Sequence, residues 1–143
     1  MNVAEETAKL SYARRLQVGS VIVKDKNIIS FGYNGTPAGW DNNCENEIVD
    51  THESTQIQGA IGHTVTLKTK PEVLHSETNS IAKLARSTNS GEGASIYITH
   101  APCLDCAKLI YQSGINTVYY RNAYRDTDGI EFLEKSNIKV NKI

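Results

Sequence analysis

Two runs rich in β-branched residues, 18–23 and 28–33, flank the polar tetrapeptide Lys24-Asp25-Lys26-Asn27, and this pattern predicts a β-hairpin. Upstream, Ala4, Ala8, Tyr12 and Ala13, with Leu10 and Leu16, recur at the spacing of one helix face, so a helix is expected over residues 3–16. Ile81, Ala82, Leu84 and Ala85 set the same period over residues 75–86, which end near a Ser/Asn/Gly cluster that breaks helices. A strand at 94–99, a helix from Pro102 or Cys103 to Gly114 and a strand at 117–120 then form a βαβ unit. A short helix at 129–135 and a last strand at 139–140 complete the alternation. The sheet after the hairpin is therefore expected to be largely parallel and covered by helices, an α/β fold.

Residues 34–71 interrupt this order. They are rich in glycine and polar residues and have no sustained period, which reads as a long loop insertion of the kind that binds ligands. With 143 residues the chain is sized for a single domain, 1–143, and its net charge of -1 and 22% charged residues are ordinary for a soluble protein. The lysines and arginines are scattered, so a polynucleotide is a poor substrate for this surface, whereas one phosphate needs only a cation or two. No stretch approaches a membrane span, and residues 1–16 carry charges where a signal core would be apolar, so the expected compartment is the cytoplasm, or a host's cytoplasm for a viral protein. Of the three cysteines, two are spaced as Cys103-Leu104-Asp105-Cys106, which suits a metal better than a disulfide framework.

His75, Cys103 and Cys106 together offer one imidazole and two thiolates, each at an expected helix N-terminus, where unpaired N–H groups and the helix dipole favour the thiolate. Three protein ligands on Zn²⁺ leave the fourth tetrahedral position open, as in catalytic rather than structural sites. A water held there becomes a nucleophile near neutral pH. Glu77, two residues after His75, is placed to take that water's proton and return it to a leaving group without ligating the metal. Two plainer readings stand beside this one. The cysteines and the histidine could be half-buried or surface residues with no metal, or a structural zinc could recruit Cys44, His52, His63 or His100 as a fourth ligand.

His75-x-Glu77 with Pro102-Cys103-x-x-Cys106 resembles the known signature of the zinc nucleobase deaminases. Three further segments carry the resemblance to the deoxycytidylate (dCMP) deaminases: Gln17-Val18-Gly19; Gly32-Tyr33-Asn34-Gly35-Thr36-Pro37-Ala38-Gly39; and Cys106-Ala107-Lys108-Leu109-Ile110 with Gln112-Ser113-Gly114-Ile115. The loop with Gly-Tyr-Asn-Gly is more particular to that branch than the zinc motifs are. The resemblance implies a three-layer α/β/α cytidine-deaminase-like fold with a mixed central sheet of about five strands. It also implies hydrolysis of dCMP to dUMP and ammonia, feeding thymidylate synthesis, in a homo-oligomer that is often a hexamer.

Many members are activated by dCTP and inhibited by dTTP, with Mg²⁺ accompanying the triphosphate. Carried over, Asn34 contacts the substrate sugar, Tyr124 lines the nucleotide pocket, the Ser76 backbone faces the base, and Gly35 and Thr36 belong to the loop that handles the allosteric nucleotide. Glycines 32, 35 and 39 are expected to let backbone approach a ligand closely. Arg14, Arg15, Lys108, Arg121 and Arg125 are the cations available for the 5′-phosphate. Ser76 stands where the family usually has alanine. Cys44 matches one ligand of a second, structural zinc found in some phage relatives, with His52, His63 and Glu72 as displaced partners; a free loop cysteine is the other reading.

The rivals are deaminases of dCTP, of cytidine or of adenine in a nucleic acid, a riboflavin-pathway deaminase, and a non-catalytic, zinc-stabilised nucleotide sensor. The last has no use for Glu77.

Overall fold

The computed structural model describes residues 1–50 and 64–143; His52 and His63 lie outside the described residues. In chain order the elements are α1 (Asn2–Ala8), β1 (Gly19–Lys24), β2 (Asn27–Tyr33), β3 (Glu45–Asp50), β4 (Thr64–Thr69), α2 (Ser76–Ala85), β5 (Ser95–His100), α3 (Leu104–Gln112), β6 (Thr117–Asn122), α4 (Asp128–Lys135) and β7 (Lys139–Lys142).

Asp25 and Lys26 adopt left-handed backbone, φ 49° and 64°, and so close β1 onto β2 by the two-residue turn whose twist matches that of the strands. β1 then pairs antiparallel with β5, and β5, β6 and β7 run parallel, giving a mixed five-stranded sheet in the order β2-β1-β5-β6-β7. Successive strand residues face opposite sides. A Cβ on Gly19 would collide with α1 at Ala4 and Ala8. One on Gly32, which pairs with the neighbouring Ser20, would lie 2.6 Å from Ser80 N in α2. Helix α1 and helix α2 therefore cover opposite faces, and α3 and α4 pack in series beside α2, making three layers. Ile22, Ile96, Ile98, Val118, Leu84, Ile110 and Leu133 fill the core.

Three expectations are corrected. The first helix stops at Ala8, not near residue 16: Leu10 N and Ser11 N turn back to Thr7 O and Ala8 O three residues earlier, and the N–H groups that would carry it on are taken elsewhere, Ser11 Oγ accepting from Ala13 and Glu45 Oε1 from Arg14 and Arg15. Leu10, Tyr12 and Leu16 are exposed. The stretch 34–71, read as a loop, contains the antiparallel pair β3–β4, with Glu45 opposite Thr69 and Val49 opposite Val65. Ile48, Val49 and Val65 are exposed, so no alternation of apolar and polar positions announces these strands. Finally, Gly32 serves the close packing of β2 against α2, not a ligand.

Candidate active site

Both ligand-bearing segments are helix starts. His75 is the N-cap residue of α2 and Cys103 that of α3, each with extended backbone. Helix α2 is fastened to the hairpin by buried polar contacts: Ser20 Oγ donates to Ser76 O at 2.8 Å and Ser30 Oγ donates to Ser80 O at 2.7 Å. Asn79 Nδ2 donates to Tyr33 O at 3.0 Å. The start of α3 follows the end of β5, where Ala101 N donates to Asn122 O (2.8 Å) and Asn122 Nδ2 donates to Thr99 O (3.0 Å). Two rigid elements thus present the two halves of the motif to one another.

The ligand atoms of His75, Cys103 and Cys106 lie within 4.8 Å of one another, and among the described residues no fourth His, Cys, Asp or Glu joins them. His75 Nδ1 is 3.4 Å from Cys106 Sγ and 3.6 Å from Cys103 Sγ. A tetrahedral Zn²⁺ with ordinary Zn–S and Zn–N bonds requires an S···N separation of about 3.6 Å, so the donor set fits that ion. Cys106 is buried, Cys103 half-buried and His75 exposed, leaving the imidazole side open. Hydrogen bonds from Cys106 and His75 hold the Cys103 thiol down at about 4; that sharing pushes Cys106 up and, through Cys103, raises His75.

Glu77 is buried at 4% exposure, and burial pushes its carboxyl above the usual carboxylate range. The Ser76 hydroxyl donates to Glu77 Oε2 at 2.8 Å and pulls the other way. A cavity of about 280 Å³ opens beside His75, Glu77 and Cys103; Ser76, Asn34 and Tyr124 also line it. Asn34 uses its amide on the chain itself, accepting from Val18 N and donating to Leu16 O, both at 2.8 Å, so one N–H and one lone pair remain for a ligand. His100 lines the cavity without joining the metal group; its Nδ1 lies 3.2 Å from Thr99 Oγ1, and burial lowers it.

Of the five candidate cations, Arg15 and Arg125 line this cavity. Arg14 is paired with Glu47 (2.8 Å), Arg121 with Glu5 (3.5 Å) and Lys108 with Asp105 (3.1 Å). Gly35 and Thr36 line a second cavity of about 230 Å³ with Tyr12, Trp40 and Lys83, and Asn34 borders both cavities. Gly35 exchanges both backbone hydrogen bonds with Leu74, and Thr36 Oγ1 donates to Asp41 O at 2.6 Å. Cys44 is buried against Ala13 and Val73 as a core thiol. Sequence reasoning passed over Glu45, which is 2% exposed and lines the first cavity; its partners, Arg14 N and Arg15 N, are some thirty residues away and leave no local signal.

The family model for the cytidine and deoxycytidylate deaminase zinc-binding region matches residues 1–122. ComE operon protein 2 of Bacillus subtilis is 35% identical over 133 residues, covering 90% of this chain and 61% of that protein. Deoxycytidylate deaminase of Enterobacteria phage T2 is 37% identical over 132 residues, covering 76% of this chain and 70% of that protein. The chain thus spans 61% and 70% of the length of these two curated relatives. Among solved structures, dCMP deaminase from the cyanophage S-TIM5 in complex with dCMP and dUMP superposes with a TM-score of 0.81 at 37% identity, covering 99% of this chain and 92% of that chain.

Proposed function

The chain belongs to the cytidine and deoxycytidylate deaminase family, and from that premise we propose that it hydrolyses dCMP to dUMP and ammonia. One observation carries the chemistry: a His75–Cys103–Cys106 group with zinc-like spacing and a buried carboxylate, Glu77, beside the same cavity. The S-TIM5 structure, which holds dCMP and dUMP, supports the choice of substrate. His75, Cys103 and Cys106 would hold the ion, and Zn²⁺ bound there would supply Lewis acidity and make water more acidic.

The chain's own residues do the rest. Ser76 Oγ pins Glu77 Oε2, and the other carboxylate oxygen takes the proton of the attacking water. As the C4–O bond forms, Glu77 passes that proton to N3; it then takes the proton of the new C4 hydroxyl and delivers it to the amine, so that the C4–N bond breaks, the C4 carbonyl forms and ammonia leaves. Burial of Glu77 suits this alternation, because a carboxyl raised toward the working pH both accepts and returns a proton. Arg15 and Arg125 receive the 5′-phosphate, and Tyr124 and Asn34 border the sugar and base.

The second cavity, with Gly35, Thr36 and Lys83, supports a regulatory site for dCTP and dTTP with Mg²⁺, in a cytoplasmic homo-oligomer taken as a hexamer by resemblance. The substrate assignment is tested by ammonia release from dCMP, deoxycytidine, dCTP and a transfer RNA. The expected order puts dCMP first by at least about tenfold, the worth of one charge-assisted phosphate contact. Preference for the nucleoside or the RNA overturns it.

A further inference from the structure

Glu45 opens β3 and lines the cavity shared by His75 and Glu77, yet the reaction sequence above gives it no part. Its Oε1 accepts the backbone N–H groups of Arg14 (3.1 Å) and Arg15 (3.2 Å), which fixes the carboxylate in place. Among the described residues its buried Oε2 has no hydrogen-bond partner; Arg14 Nε, at 3.8 Å, forms an ion pair beyond hydrogen-bond reach. An orphaned carboxylate oxygen is costly to bury, and bulk water does not reach this one. Glu45 lines the cavity, so a ligand seated there is placed to bring the missing donor once the carboxylate turns its Oε2 toward it.

We propose that Glu45 Oε2 accepts a hydrogen bond from the 3′-hydroxyl of the bound nucleotide and so sets how the sugar sits in the cavity. This rests on the dCMP reading and deepens it. In dCMP the groups that donate are the 4-amino group and the 3′-hydroxyl. The amino group must lie at the metal end beside Glu77, where it leaves, so the 3′-hydroxyl is the donor left for Glu45. The phosphate offers only negative oxygens at neutral pH, which Glu45 repels. Residues 14–15 then serve both ends of the sugar: their backbone holds Glu45, and the Arg15 guanidinium lines the same cavity for the phosphate.

The test compares kcat/KM for dCMP with that for 2′,3′-dideoxycytidine 5′-monophosphate, in zinc-loaded wild type and in Glu45→Gln. Wild type is expected to favour dCMP by roughly 10- to 100-fold, the range for a hydrogen bond to a charged acceptor. Glu45→Gln keeps the size and an acceptor for the two N–H groups, and should compress that ratio by at least about fivefold. A purely structural role would lower both substrates together and leave the ratio unchanged, which overturns the assignment. So does a wild type that treats the two nucleotides alike, a result that needs no variant to fold. Absence of dCMP turnover in wild type removes the substrate reading, and this inference with it; turnover with an unmoved ratio removes this inference alone.

Discussion

Gly129, at the start of α4, lies against the Pro102–Cys103 turn, so a change outside the cavity should reach the metal. A Cβ added at Gly129 would stand 2.9 Å from Cys103 C and 3.0 Å from Cys103 O, and closer still to Pro102 O. All three atoms are backbone, and ordinary contacts need about 3.5 Å or more, so the Pro102 carbonyl contact requires α4 and the turn to part by roughly 1–1.5 Å. Helix propensity favours alanine over glycine by about 1 kcal/mol, whereas overpacking costs about 1–3 kcal/mol. Their sum makes Gly129→Ala neutral to about 2 kcal/mol destabilising. The metal is the more sensitive reporter, because ligand distances tolerate only about 0.2 Å. Zinc affinity is therefore expected to fall by about 10- to 100-fold, as when supporting groups around a metal are disturbed. Chelator competition measures the affinity, and thermal melts with and without zinc separate metal loss from unfolding. Gly35→Ala is the control, since among the described residues nothing lies within 4 Å of its Cβ position, and its φ is not positive. Equal zinc affinity in Gly129→Ala, Gly35→Ala and wild type would refute the claim that α4 braces the Cys103 turn.

Glu77→Gln should lower kcat by about 10²- to 10⁴-fold while one zinc per chain and the melting temperature stay near wild type; turnover within tenfold of wild type contradicts the proton-transfer role. Arg15→Ala and Arg125→Ala should each lower kcat/KM for dCMP by about tenfold and leave slow deoxycytidine turnover unchanged, because only dCMP carries the phosphate; equal losses on both substrates count against the assignment. Removing the metal by chelation should lower the melting temperature and restore alkylation of Cys103, the half-buried thiol held at about 4, ahead of buried Cys106; labelling and peptide mapping read the order, and Cys106 reacting first would contradict the geometry.

The metal motif was legible in the sequence because each half is local: His75 and Glu77 share one helix start, and Cys103 and Cys106 another, so spacing alone places them on one side. The β-hairpin and the βαβ alternation were legible for the same reason, since the apolar set of each element is buried on the sheet. What spacing does not carry is a partner far away in sequence. What keeps the helix from running on toward residue 16 is Ser11 and, some thirty residues on, Glu45, which take the N–H groups of Ala13, Arg14 and Arg15, and β3–β4 pair with both faces largely exposed. Five cations were equivalent in the sequence; ion pairs engage Arg14, Arg121 and Lys108, and Arg125 as well through Asp126 (3.9 Å), so it is the lining of the cavity that singles out Arg15 and Arg125.

The central claim, hydrolysis of dCMP at the His75–Cys103–Cys106 centre, is tested most directly by titrating zinc into metal-free protein while following conversion of dCMP to dUMP by ultraviolet absorbance. Activity is expected to rise in step with added zinc and to level off at one ion per chain. Full occupancy by zinc with no dUMP formed, or activity equal in its absence, would contradict the account.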